Sequence, residues 1–350
     1  MNQLEDYFYT VKSDRSKQTY EVYIRFFNEW SKSSLIDLLK LPQKEIQDIL
    51  IKYVIFMRDR KLSYSSIKGR MSPIIAFLEH SDITINKRKI KKYYGEERKT
   101  VKDSAYTTED IAKMLSQAKL RTKVIILIYS STGIRRDALL DLQLKHLKKI
   151  PQYGIYKVTV YENSKEEYTT FTTTEASNMI DLYLKHRQES GEIISKESYL
   201  IRNDFDYFLK DMSKNPKAVT STNLNALFRA LLIKTGLRAQ NEPVYARHET
   251  MMFHGFRKFF SNQVMESGVN TEHRWLLEGH ALKGNDSAYV RISEKQLLEQ
   301  YIKAIDNLTI NEENRLKRKV EKMQIDQSQY ESLRAEFLKF KEAMLKQKQK

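Results

Sequence analysis

The stretch Met252–Tyr289, MFHGFRKFFSNQVMESGVNTEHRWLLEGHALKGNDSAY, decides how the rest of the chain is read. His254 and Arg257 stand three positions apart, so in the first turn of a helix both heads project from one face and can share a ligand. His280 comes 23 residues after Arg257 and Tyr289 nine after that, with Gly284-Asn285-Asp286 between them as a turn. Histidine, arginine, histidine and tyrosine in this order suit a phosphate site in which the tyrosine is the nucleophile.

The 350 residues are enough for two domains with sizeable cores. With 61 Lys+Arg against 45 Asp+Glu the formal charge is +16, which concentrates polyanions such as nucleic acid near the surface. A chain that is merely lysine-rich has the same balance, so charge alone does not decide. There is no cysteine, which excludes disulfides, thiolate catalysis and cysteine-bearing zinc sites. No apolar run approaches the roughly 18 residues needed to cross a bilayer, and MNQLEDYFYT lacks a secretory pattern. A cytoplasmic protein without a membrane partner is expected.

Residues 14–30 carry Tyr20, Tyr23, Phe27 and Trp30 at helical spacing, with Ser16 as the expected cap; the stripe reads as core rather than a base-stacking platform. Two further helices are expected over Lys44–Lys61 and Tyr64–His80, the latter interrupted by Pro73. Residues 86–102 hold eight Lys or Arg against two acids and read as a linker lying along phosphates, with Lys87, Arg88, Lys89, Lys91 and Lys92 as candidate contacts. Thr107-Thr108-Glu109-Asp110 signals a helix start, Val124–Tyr129 a buried helix, and Ser130–Gly133 a break. The alternating runs Ile155–Tyr161 and Tyr168–Thr173 predict a β-hairpin with Lys165 at its tip. Helical patterns resume from Glu175, over Val219–Thr235 and beyond His254.

From Asn311 to Lys350 there is no Gly or Pro, and Leu316, Met323, Tyr330, Phe337 and Met344 recur every seven residues, with Val320, Leu333 and Phe340 beside them. This predicts a long helix or coiled coil through which the chain self-associates, its register slipping at Asp326 and Gln327.

A transferring phosphoryl group needs cations on its non-bridging oxygens, and a guanidinium supplies two parallel hydrogen bonds. Arg135 follows Thr132-Gly133 and is expected at the mouth of a helix, where backbone N–H groups also favour an anion; Arg136 points elsewhere. Taken in order, Arg135, Lys165, His254-x-x-Arg257, His280 and Tyr289 resemble the tyrosine recombinase (phage integrase) family, and the Ser164-Lys165-Glu166-Glu167-Tyr168 hairpin is closer in style to its archaeal members. The resemblance covers a helical N-terminal segment and a catalytic domain, and its specific part is TGIRR, a hairpin lysine, HGFR, and LLEGH followed nine residues on by tyrosine.

The resemblance implies that Arg135 and Arg257 clamp the scissile phosphate, that His280 donates to it and that His254 assists as acid or base. It further implies that Lys165 protonates the leaving 5′ oxygen and that Tyr289 attacks to form a 3′-phosphotyrosyl link, with neither metal nor cofactor. One departure stands out: the family's acid three residues after its first arginine is Ala138 here, and the acid is Asp137. Lys157 and Glu166 compete with Lys165, and His248 with His254, although His248 lacks an arginine three residues on. As zinc ligands, His254 and His280 lack cysteine or a spaced carboxylate pair.

The expected fold class is mainly α with a small antiparallel β-hairpin or sheet, in the two-domain architecture of the family. Residues 1–85 form the core-binding DNA domain, 86–104 the basic linker, 105–305 the α+β catalytic domain and 306–350 the C-terminal helix. The two domains are expected to clamp duplex DNA, with a homotetramer on DNA and accessory DNA-bending proteins as partners. Competing readings are type IB topoisomerase-like cutting and resealing, a non-catalytic DNA-binding protein on the same scaffold, and a helical scaffold assembled through its C-terminal coil.

Overall fold

A computed structural model describes residues 3–97, 104–204, 216–241, 252–281 and 292–320, together with 323, 324, 327, 331 and 334. Two units divide the chain, Met1–Thr100 and Val101–Lys350. Among the described residues no helix is long and apolar enough to cross a membrane.

In the first unit the helices are α1 (Gln3–Thr10), α2 (Asp14–Ser31), α3 (Gln43–Asp59), α4 (Tyr64–His80) and α5 (Lys87–Lys91), with a 3-10 turn over Leu35–Lys40. The aromatic stripe of α2 faces inward. Phe27 is fully buried and meets Tyr53 edge-on at 5.0 Å, while Tyr20 and Trp30 pack against the same core. The cap of α2 is Ser13 rather than Ser16: the Ser13 hydroxyl accepts the Ser16 backbone N–H at 3.4 Å. Pro73 does not interrupt α4, which runs through it with the ring buried in the core. Core packing outweighs the local cost of the missing N–H.

The basic segment departs from the expected linker. Asn86 donates its backbone N–H to the Gln47 side chain at 3.0 Å, and Ile90 and Tyr94 sink into the core of the first unit. The apolar residues at 85, 90 and 94 anchor a run that charge counting alone assigns to solvent. Lys87, Arg88, Lys89, Lys91 and Lys92 remain exposed on α5 and its end, Lys87 paired with Glu79 at 2.6 Å. Arg98, Lys99 and Lys102 lie outside the described residues.

The second unit is built around α7 (Leu120–Thr132), in which every residue from Val124 to Thr132 is buried. A helix apolar all round has to sit inside. The Ser130, Ser131 and Thr132 hydroxyls donate back to Leu127 and Ile128 carbonyls, so they enter the core satisfied. The helix α6 (Thr108–Gln117) begins with a capping box between Thr107 and Asp110. After α8 (Ala138–Asp141) comes an antiparallel sheet in the order β1 (Leu147–Ile150), β2 (Ile155–Val160), β3 (Tyr168–Phe171), with Leu147 opposite Val158 and Val160 opposite Tyr168. The predicted hairpin is β2–β3; β1 was hidden in Leu147-Lys148-Lys149-Ile150, too short to show alternation.

The remaining helices are α9 (Thr174–Glu189), α10 (Ser221–Lys234), α11 (His254–Glu266), α12 (Thr271–Leu277) and α13 (Glu294–Leu308). Buried Glu192 pairs with Arg187 and, at 2.6 Å, with Arg202, tying down the segment after α9. The Glu175 carboxylate accepts the backbone N–H groups of Ile310 at 2.9 Å and Asn311 at 3.2 Å. Arg318 binds Asp306 at 3.0 Å, so residues 312–320 leave the unit as a docked helix with Leu316 and Val320 exposed. Tyr330, Leu333, Phe337, Phe340 and Met344 of the predicted seam lie outside the described residues.

Ile90→Ala separates a folded segment from a linker. In a Trp275→Phe background, where Trp30 alone reports, urea unfolding should show a loss of about 2–4 kcal/mol; a loss below about 0.5 kcal/mol, as for a surface substitution, would return the segment to a linker.

Candidate active site

Two helix ends make the site. Helix α7 stops at Gly133, which is left-handed at φ 61° and donates its N–H to Tyr129 O at 3.0 Å. Helix α12 stops in a Schellman turn around Gly279 (φ 68°), where Gly279 N–H reaches Leu276 O at 3.0 Å and His280 N–H reaches Trp275 O at 2.8 Å. Neither glycine has room for a Cβ: it would lie 2.4 Å from the Phe260 ring at Gly133 and 2.4 Å from the Tyr168 ring at Gly279.

The carbonyls at these two ends hold the arginines. Arg257, only 7% exposed on the first turns of α11, donates Nη1 to Gly133 O at 2.8 Å and Nη2 to Glu278 O at 2.5 Å. Its Nη2 also lies 3.0 Å from His280 Nε2. Arg135 reaches Gly279 O with Nη2 in a longer contact of 3.4 Å. The negative ends of two helix dipoles thus face two guanidinium groups. Burial and nearby Arg135 pull the Arg257 pKa below its ordinary value, while Glu278 pulls it back up.

The local setting of Arg135 differs from the expected helix mouth. Ile134 and Arg135 are irregular, a turn follows at Arg136 and Asp137, and α8 starts only at Ala138 and lasts four residues. Asp137 pairs with its neighbour Arg136. It accepts Arg136 Nε at 2.9 Å and Nη2 at 3.2 Å, and Ala138 is buried. The departure from the family pattern therefore leaves Arg135 without a carboxylate three residues on.

His280 is 47% exposed at the side chain, with Nε2 3.3 Å from Glu278 Oε2. Its pKa is lowered, mainly by burial and then by Arg257, with Glu278 opposing and Arg135 adding to the fall. His254 is exposed at the start of α11. It lines a cavity of about 410 Å³ with Arg135, Arg136, Asp137, Asn225 and Arg257. Lys165 is exposed in the turn between β2 and β3, whereas Lys157 is engaged with Glu294 at 2.8 Å. Arg135, Arg257 and His280 thus converge, His254 shares a cavity with the two arginines, and Lys165 is at the hairpin tip. Tyr289 and His248 lie outside the described residues.

Four residues escaped sequence reasoning. Tyr168 covers Gly279, and burial pushes its phenol up to about 12 against the pull of Arg257 and Arg135, which makes it a wall rather than a nucleophile. Asn225 enters from α10 with no sequence signal. Gly279 was legible as a helix stop before His280. Glu278, buried at 6% exposure, is an acid directly after the apolar run Trp275-Leu276-Leu277. Among the described residues no cluster of three or more His, Cys, Asp or Glu could hold a metal ion.

The phage integrase family model matches residues 104–305. No curated protein matches the chain. Among solved structures it is similar to XerH site-specific recombinase bound to a palindromic difH substrate in a post-cleavage complex, at 16% identity and TM-score 0.51, covering 81% of this chain and 78% of that one. It is also similar to the Tn1549 transposon integrase in complex with transposon right end DNA, at 15% identity and TM-score 0.52, covering 81% of this chain and 97% of that one. At such identities the likeness is one of fold.

Gly279→Ala should destabilise the chain by about 2–4 kcal/mol, combining left-handed strain with overpacking against Tyr168. Gly268→Ala, at φ 74° with nothing within 4 Å of its Cβ, should cost only about 1–2 kcal/mol. Equal losses in urea titrations would contradict the Tyr168 contact.

Proposed function

The chain belongs to the phage integrase family and is a tyrosine recombinase, and from that premise we propose that Arg135, Arg257 and His280 hold a scissile DNA phosphate while Tyr289 attacks it. The observation that carries this reading is the convergence of two guanidinium groups and an imidazole on two helix ends. Site-specific recombination then proceeds in two transesterifications. The Tyr289 oxygen bonds to phosphorus as the bond to the 5′ oxygen breaks, leaving a 3′-phosphotyrosyl link and a 5′-hydroxyl. A 5′-hydroxyl from the exchanged strand reverses the step and frees the phenol. The diester count is unchanged, so resealing needs no ATP.

Each residue answers a stated cost. Forming phenolate at neutral pH costs roughly 4 kcal/mol for an ordinary phenol of pKa about 10, and the guanidinium groups offset it. They also neutralise charge on the non-bridging oxygens, the task that a metal ion performs elsewhere. His254, exposed in the same cavity, relays the phenol proton. Lys165 protonates the departing 5′ oxygen from the hairpin tip, a position that Lys157, tied to Glu294, does not offer.

Double-stranded DNA fits the +16 charge and the exposed Lys87, Arg88, Lys89, Lys91 and Lys92 of the first unit, which acts as the core-binding domain. Affinity should fall steeply with salt. Exchange between two duplexes calls for four protomers, with the C-terminal helix as a self-association surface and DNA-bending proteins as accessories.

With a nicked substrate on a denaturing gel, Tyr289→Phe should bind DNA and form no covalent adduct; an adduct in that variant would remove the nucleophile assignment. Arg135→Ala and Arg257→Ala should lose cleavage by about 10²–10³-fold beyond any loss of binding, whereas parallel losses would deny them a clamp role. Lys165→Ala should slow cleavage by about 10²–10⁴-fold and recover on a 5′-bridging phosphorothiolate, whose thiolate leaves without a proton. Failure of that recovery would point to another donor.

A further inference from the structure

The buried carboxylate of Glu278 has no place in the scheme above, yet it stands inside the clamp. Its Oε2 lies 3.3 Å from His280 Nε2 and 4.0 Å from Arg257 Nη2. Its Oε1 is buried with no hydrogen-bond partner among the described residues. Leaving a buried acceptor unsatisfied is costly, and the run Leu276-Leu277-Glu278-Gly279 offered an apolar alternative.

The geometry around His280 is contradictory for one nitrogen. Nε2 is 3.0 Å from Arg257 Nη2, which can only donate, and 3.3 Å from a carboxylate oxygen, which can only accept. Without a proton Nε2 would accept from Arg257; with one it would donate to Glu278. The two contacts are alternatives selected by a single proton. To donate to a phosphate oxygen, His280 needs that proton on Nε2, and Arg257 and Arg135 both work against it. Among the groups that act on His280, Arg257 and Arg135 are cations and Glu278 is the acid.

We propose that Glu278 is a positioning residue that keeps the hydrogen of His280 on Nε2, aimed for transfer to the scissile phosphate, and offsets the Arg135–Arg257 cation pair until DNA arrives. The inference rests on the phosphate-clamp reading of the site and deepens it. When phosphate enters, the Nε2–H turns from the carboxylate to a non-bridging oxygen, a hydrogen bond exchanged with no proton moved. The lowered pKa of His280 fits this account, since Glu278 opposes the fall that burial and Arg257 impose. In Ala138 this chain lacks the acid that its family places beside the first arginine, and Glu278 brings a carboxylate into the clamp from the opposite helix end.

The test is single-turnover cleavage of a nicked DNA substrate from pH 4.5 to pH 9 by wild type and E278Q, with Arg257→Ala as the control. E278Q should bind DNA at least as tightly as wild type and approach its cleavage rate only at the acid end of the range. At pH 8 it should be at least about tenfold slower, because the loss of activity with rising pH begins about one unit earlier. Matching pH profiles, or a loss equal at every pH, would overturn the proposal, the second outcome marking a purely structural carboxylate. If Arg257→Ala cleaved as well as wild type, the clamp reading itself would fall, a result distinct from an unaffected E278Q. A second readout needs no variant that alters Glu278. In wild type labelled with ¹⁵N-histidine, the His280 signal, assigned by its disappearance in His280→Gln, should show Nε2–H at neutral pH. An Nδ1–H tautomer there would overturn the proposal.

Discussion

The structure of the second unit depends on how one buried guanidinium is kept in place. Arg257 is nearly inaccessible and is held by Gly133 O at the end of α7 and Glu278 O at the end of α12. Burying an arginine without acceptors costs several kcal/mol. Two helix C-termini, each with unsatisfied carbonyls and a partial negative charge of about one half, remove that cost. Their charge is partial, so the site keeps a net positive character toward its open side, where Arg135 and His280 stand. A cation fixed in this way does not have to reorganise when an anion arrives, which is what electrostatic catalysis requires.

Packing and charge meet at the same atoms. Phe260, three residues beyond Arg257 on α11, fills the space that a side chain at Gly133 would take. Tyr301 on α13 donates its hydroxyl to Ser131 O at 2.7 Å. Tyr168 on β3 closes over Gly279 in the same manner. The sheet, α11 and α13 therefore all press on the two helix ends, and moving any of them moves an arginine's acceptor.

Much of this was legible in the sequence because it is governed by short-range rules. Helix periodicity, the Thr107 cap and the β2–β3 hairpin follow from local patterns, as does the stop at Gly133, although α7 keeps Ser130, Ser131 and Thr132 helical up to it. What escaped has a common cause. Ile90 and Tyr94 fold a basic run onto the first unit, Asp137 pairs with Arg136, and Glu278 reaches His280, each through contacts distant in sequence or through a choice between neighbouring partners. Periodicity carries no information about such choices. Ser13, not Ser16, caps α2, a distinction made by backbone geometry and not by residue type.

The chemistry proposed for this chain is charge neutralisation at a phosphodiester. The most direct measurement of that claim compares cleavage of an ordinary phosphodiester with cleavage of a methylphosphonate, which lacks the negative charge, by wild type and Arg257→Ala. If the guanidinium acts by neutralising that charge, the Arg257→Ala defect, expected at about 10²–10³-fold on the diester, should largely vanish on the neutral substrate. An equal defect on both substrates would contradict the account and leave Arg257 as a structural pin between two helix ends.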